Sequence, residues 1–192
     1  MVRSYKKWVK PTQFDLDQVL VIICHKYDLI DFSCSSSKLA KADLIKFLSI
    51  KLDLSDDTVR SFCNDSSKLK LPVWILLNAL SGKQIADFLE SPVQPVSDFN
   101  KDELRKMIDK SCFNSIGNGY SVPEYLYDHL FFSKRNPDDL TFISNLTRKD
   151  FSDFLSINYT VFSRNIEAKS IRYIHFKIFL LLLGFNITEI GF

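Results

Sequence analysis

The chain has 192 residues and a net charge of +2, with 46% hydrophobic and 25% charged residues. That balance is ordinary for a globular protein and excludes a disordered, collagen-like or disulfide-scaffold chain; a uniformly basic nucleic-acid binder is excluded too, so any basic surface must be local. Seventeen Phe supply large aromatic volume for a core, and only five Gly leave few positions for tight hairpins, which leans the fold toward helices.

The first residues, MVRSYKKWVKPTQF, interleave Arg3, Lys6, Lys7 and Lys10 with Tyr5 and Trp8. They read as a basic arm, 1–12, closed by Pro11 and Thr12. No apolar run follows it directly, and there is no small-residue cleavage site. The longest apolar runs, Val19–Cys24, Val73–Leu77 and Ile178–Leu183, are far shorter than the ~20 residues a spanning helix needs. The expectation is a cytoplasmic protein, neither secreted nor embedded in a membrane. The four cysteines, Cys24, Cys34, Cys63 and Cys112, form no C-x-x-C pair and have no histidine at ligand spacing. They read as reduced thiols, and no metal is expected.

A first helix is predicted from about Phe14 to Tyr27, with Thr12 or Asp15 as its cap and Leu16, Val19, Leu20, Ile23 and Cys24 as its apolar stripe. Ser33–Ser37 is a polar break. Lys41–Lys51 reads as a second helix, with Leu44, Phe47, Leu48 and Leu52 on one face. After a turn at Asp53-Leu54-Ser55, Ser55 caps a third helix running through Cys63. Asn64–Ser67 reads as a loop. Leu71–Leu80 is a strongly apolar helix with Pro72 in its first turn and Gly82 just past its end, and Lys83–Leu89 is a short helix. These elements make a helical domain, 13–90.

Two prolines in Ser91-Pro-Val-Gln-Pro-Val-Ser97 favour an extended linker, 91–97, and a second helical domain, 98–192, follows. Its predicted helices are Lys101–Cys112, Pro123–Phe132, Leu140–Leu146, Thr147–Ile157, Tyr159–Ile166 and Ile171–Leu183, with Ile187–Phe192 closing the chain. Gly117-Asn-Gly119 is a turn that could join a minor hairpin near 117–122. The fold class expected is all-α.

The two halves echo one another. Phe47-Leu-Ser-Ile50 matches Phe154-Leu-Ser-Ile157 at an offset of 107, and Gly82-x-x-Ile85 matches Gly184-x-x-Ile187 at an offset of 102. The difference is assigned to an insertion at Lys51–Ser55.

Each half runs helix, short turn, helix, loop, apolar helix, glycine. In Arg148-Lys-Asp-Phe-Ser-Asp-Phe-Leu-Ser-Ile-Asn-Tyr-Thr-Val-Phe-Ser-Arg-Asn-Ile166, Phe151 takes a buried place and Ser152 the small-residue place. Leu155 and Ile157 flank the turn, and Phe162 is buried in the second helix. This order resembles lambda-repressor and Cro-like helix-turn-helix proteins, with Ser156 where that family usually has glycine and Asn165 where it usually has an apolar residue. The first half fits through Leu48, Ser49, Leu52, Leu54, Val59 and Phe62. The resemblance implies a regulatory protein of a bacterium or phage that binds double-stranded DNA. Asn158, Tyr159, Thr160, Ser163 and Arg164 would face the major groove, with Lys169, Arg172, Lys6 and Lys7 as further contacts. Arginine can grip guanine and asparagine adenine, and hydroxyls donate to phosphates. From Arg148 to Lys177, six cations stand against Asp150, Asp153 and Glu167. In the first half the same face carries Asp56 and Asp57, which would repel phosphate, so that half is expected to serve dimerisation or a protein partner.

His25, His129 and His175 stand apart from any nucleophile, and no phosphate loop, nucleophile elbow or zinc-protease motif occurs. No catalytic residues and no cofactor are expected. The alternative reading is a non-enzymatic helical interaction module, an inhibitor or adaptor.

Overall fold

The computed structural model describes residues 8–29, 38–88, 114–116, 119–121, 148–168, 170–182 and 184–187. The linker 91–97 and the helices expected at 101–112, 123–132 and 140–146 lie outside these residues. The described part is helical, with one small antiparallel sheet. The chain divides into two compact units, Lys6–Phe88 and, with Met1–Tyr5, Leu89–Phe192.

In the first unit the helices are α1 (Gln13–Lys26), α2 (Lys38–Leu52), α3 (Asp56–Asn64) and α4 (Leu71–Ser81). Thr12 caps α1, and Asp15 returns a bond to the Thr12 backbone N–H, which completes a capping box. The stripe Leu16, Val19, Leu20, Ile23 and Cys24 is buried, and α1 packs on α4, whose residues are buried almost without break from Leu71 to Leu80. Gln13 ties α1 to the end of α3. Its Nε2 donates to the Cys63 carbonyl at 3.0 Å, and its Oε1 accepts from the Ser66 N–H at 2.8 Å. The stretch read as a loop is instead a 3-10 turn, Ser66–Lys68, because the Asp65 carboxylate caps the Ser67 N–H at 3.0 Å. The short helix expected at 83–89 is a single 3-10 turn, Ile85–Phe88.

In the second unit the helices among the described residues are α5 (Arg148–Phe154), α6 (Tyr159–Glu167) and α7 (Tyr173–Leu182). The hairpin forms at Asn114–Ile116 (β1) and Gly119–Ser121 (β2), with Ser115 opposite Tyr120. A third strand, Ser170–Ile171 (β3), pairs with β2 through Tyr120 opposite Ile171, so the last apolar helix begins two residues later than its periodicity suggests. Phe151 is the hub of the core here, 5.4 Å from the Phe162 ring and 5.7 Å, edge-on, from Phe179.

The internal echo is real in element order but not in the register read from the strings. Both series run helix, left-handed turn, capped helix, link, apolar helix, left-handed glycine. Asp53 (φ 55°) and Ser156 (φ 54°) are the left-handed residues of the two turns. In the first, the Leu54 N–H donates to the Ser49 carbonyl; in the second, Ile157 donates to Ser152. Ser49 therefore corresponds to Ser152, an offset of 103, not to Ser156. Both serines are buried and bond back along their helix, Ser49 to the Ile45 carbonyl and Ser152 to the Lys149 carbonyl. The Phe-Leu-Ser-Ile match is one helical turn out of phase, since a four-residue slip on a helix nearly preserves an apolar stripe. Lys51–Ser55 is not an insertion. The second pair of turns, closed at Gly82 (φ 108°) and Gly184 (φ 83°), keeps the offset of 102. The one-residue change falls between, where the first series has the 3-10 turn and the second has β3.

Candidate nucleic-acid interface

The α5–turn–α6 segment is fixed at both ends of its turn. The bonds Ser156 N–H to Asp153 carbonyl (3.0 Å) and Ile157 N–H to Ser152 carbonyl (2.9 Å) close α5 in a Schellman motif. Two residues later Asn158 opens α6. Its carbonyl accepts from Phe162 N–H at 2.9 Å, and its side-chain Oδ1 accepts from Val161 N–H at 3.2 Å. The buried Phe162 presses α6 onto Phe151.

With Phe162 inward, helical spacing sets Thr160, Val161 and Arg164 on the outward side. All three are exposed, Val161 at 51%. Tyr159 is 43% exposed, with the Lys149 ammonium of α5 5.9 Å from its ring centroid. Ser163 is half-buried and donates to Glu167 at 3.5 Å. Arg172 is exposed just before α7. Asn158, Tyr159, Thr160, Ser163 and Arg164 thus lie along one short helix, whereas Lys169, Lys6 and Lys7 lie outside the described residues.

Two features alter the chemistry read from the sequence. Asn158 uses its carboxamide oxygen as the cap. Gripping adenine bidentately needs that oxygen and the amide together, so the cap bond, which takes one of the oxygen's two lone pairs and fixes its direction, competes with that grip. The basic character is also thinner than the count of cations implies. Lys149 is engaged by Asp153 at 2.6 Å, and Lys177 is 2% exposed, its ammonium 4.5 Å from the Tyr173 ring centroid. A lysine inside the most apolar helix gave no signal in the hydropathy pattern. His175, one turn after Arg172, is half-buried, and desolvation followed by the Arg172 charge pushes its pKa down to about 4. It is a neutral imidazole near pH 7.

The corresponding face of α3 begins at the cap Ser55, whose hydroxyl accepts from Thr58 N–H at 3.3 Å and shares a 2.8 Å bond with the Thr58 hydroxyl. Asp56 and Asp57 are exposed, and Arg60 is paired with Asp57 at 3.0 Å. The face is acidic or neutralised along its length.

Among the described residues no group of His, Cys, Asp and Glu could hold a metal ion, and no helix is long and apolar enough to cross a membrane. Comparison with protein families, curated proteins and solved structures gave no match.

Proposed function

We propose that the protein is a non-enzymatic, cytoplasmic regulator that binds double-stranded DNA, with α5 crossing the backbone and α6 entering the major groove. The observation that carries this reading is the outward face of α6. Thr160 and Arg164 are exposed one turn apart on a short helix that is capped at Asn158 and held from behind by Phe162 on Phe151. A rigid helix with an arginine at its outward middle suits base-edge reading, because guanidinium matches the two acceptors of guanine. Arg172 stands ready for a phosphate.

Selection of duplexes from a random pool, followed by fluorescence anisotropy on the enriched sequence, tests the reading. Arg164→Ala is expected to lose about 1–3 kcal/mol and relax specificity at one base pair. Failure to enrich any sequence, or an Arg164→Ala variant that binds like the parent, overturns it.

A second reading, a helical module that binds another protein, is favoured by the first unit. Phe14 is 69% and Ile50 62% exposed there, and the outward face of α3 carries Asp56 and Asp57. Under the first reading this unit serves self-association or a protein partner, and under the second it is the whole function.

A further inference from the structure

Val161 is a β-branched apolar residue left 51% exposed in the first turn of α6. Nothing in helix formation requires it, since exposed valine is a weak helix former. The corresponding place in the first unit, at the offset of 103, is Thr58, which has the same shape. There the hydroxyl supports the cap by its 2.8 Å bond to Ser55. In α6 the cap is made by the Asn158 carboxamide alone, and a methyl group stands where that hydroxyl would be. The second unit carries an apolar group where the first carries a polar one, at a solvent-facing place between Thr160 and Arg164.

We propose that Val161 is a specificity-determining residue that receives the C5-methyl group of a thymine in the major groove. This rests on the DNA reading above. Thymine alone among the bases offers an apolar group there, and first-turn residues of a groove-entering helix are those that reach base edges. The chemistry of the neighbours narrows the choice. Asn158 already gives one lone pair of its oxygen to the cap, which competes with adenine recognition, and the Lys149 ammonium lies 5.9 Å from the Tyr159 ring centroid. Val161 is the exposed residue of the turn whose side chain is wholly apolar, beside Arg164. Its χ1 is already restricted in a helix, so little freedom is lost on contact.

The test uses the full chain and the duplex enriched by selection. Each thymine is replaced in turn by deoxyuridine, which removes only the methyl group. Affinities are measured for the parent, Val161→Ala and Val161→Thr, with circular dichroism melts to verify that each variant folds. One deoxyuridine position is expected to weaken the parent about three- to fivefold, the effect of one lost methyl contact. Val161→Ala should bind the thymine duplex more weakly by a similar factor and be less sensitive to deoxyuridine at that position, and Val161→Thr, which keeps one methyl group, should fall between Val161→Ala and the parent. If a sequence is enriched and Arg164→Ala weakens its binding, yet every deoxyuridine effect is the same in the parent and in both variants, Val161 does not read a methyl group and only this inference falls. If no sequence is enriched, the DNA reading falls and takes the inference with it.

Discussion

Ser156 and Asp53 hold φ near +55°, where a side chain is strained by its own Cβ. The left-handed conformation costs a non-glycine residue about 1–2 kcal/mol, least for a short polar side chain such as Asp. Glycine gives back part of the relief through its looser unfolded chain. Ser156→Gly is therefore expected to stabilise the protein by about 0.5–1 kcal/mol and Asp53→Gly by less, read as a higher urea midpoint at constant slope. A loss of stability in Ser156→Gly would contradict a left-handed turn there. His175 gives a second residue-scale expectation. Its folded pKa, about 4, lies below the ordinary 6.5, so the unfolded chain binds the proton more readily between those values. Its contribution is complete above pH 6.5 and is lost as the pH falls from 6.5 toward 4, with a slope of at most about 1.4 kcal/mol per pH unit. In urea titrations across that window, His175→Gln is expected to flatten the decline relative to the parent. An unchanged decline would mean that the imidazole is not held neutral by burial.

At the scale of elements, α5, α6 and α7 meet on one ring. Phe151 is 1% exposed and touches both Phe162 and Phe179. Phe151→Ala should cost about 3–5 kcal/mol by thermal or urea unfolding, since a ring-sized cavity would lie where three helices converge. A loss under about 1 kcal/mol would mean that these helices do not pack as described. Such helices were legible because the marks that place them are local: Thr12 or Asp15 ahead of an apolar stripe, Ser55 ahead of Asp56, Pro72 in a first turn, Gly82 and Gly184 after apolar runs. The links were less legible. The pairing of Ile171 with Tyr120 joins residues 51 positions apart, and no periodicity within either segment announces it. The register of the repeat was misread because four identical residues outweighed the turn geometry, which pairs Ser49 with Ser152. The outward residues of α6 could be named from helical spacing around Phe162. The commitment of the Asn158 oxygen to a cap, the Asp153 partner of Lys149 and the burial of Lys177 could not, because each depends on where a side chain turns within its turn of helix.

For the whole molecule, a charge of +2 on 192 residues gives little long-range attraction to a polyanion, and the distribution of cations decides how strongly salt acts. Each phosphate neutralised contributes about −0.9 to the slope of log affinity against log salt. In the described part of the second unit, Arg164 and Arg172 are exposed, Lys149 is already compensated by Asp153, and Lys177 is inside. If Arg164 reads a base, Arg172 contributes about −1 per chain to the slope, and Lys6, Lys7 and Lys169 each add about −0.9 where they too meet a phosphate. If both arginines meet phosphates they contribute about −2, and two chains on paired half-sites double either value. Anisotropy titrations at four or five salt concentrations are expected to give at least this dependence. Arg172→Ala should reduce the slope by about one per chain. Asp56→Ala at the acidic start of α3 should leave it unchanged, because α3 does not face DNA in this reading. A slope beyond about −6, insensitive to Arg172→Ala, would move the phosphate contacts off α6 and its flank to other cations such as Lys6, Lys7 and Lys169. The balance of attraction would then lie in the arm and the link before α7, not in the helix that carries Arg164.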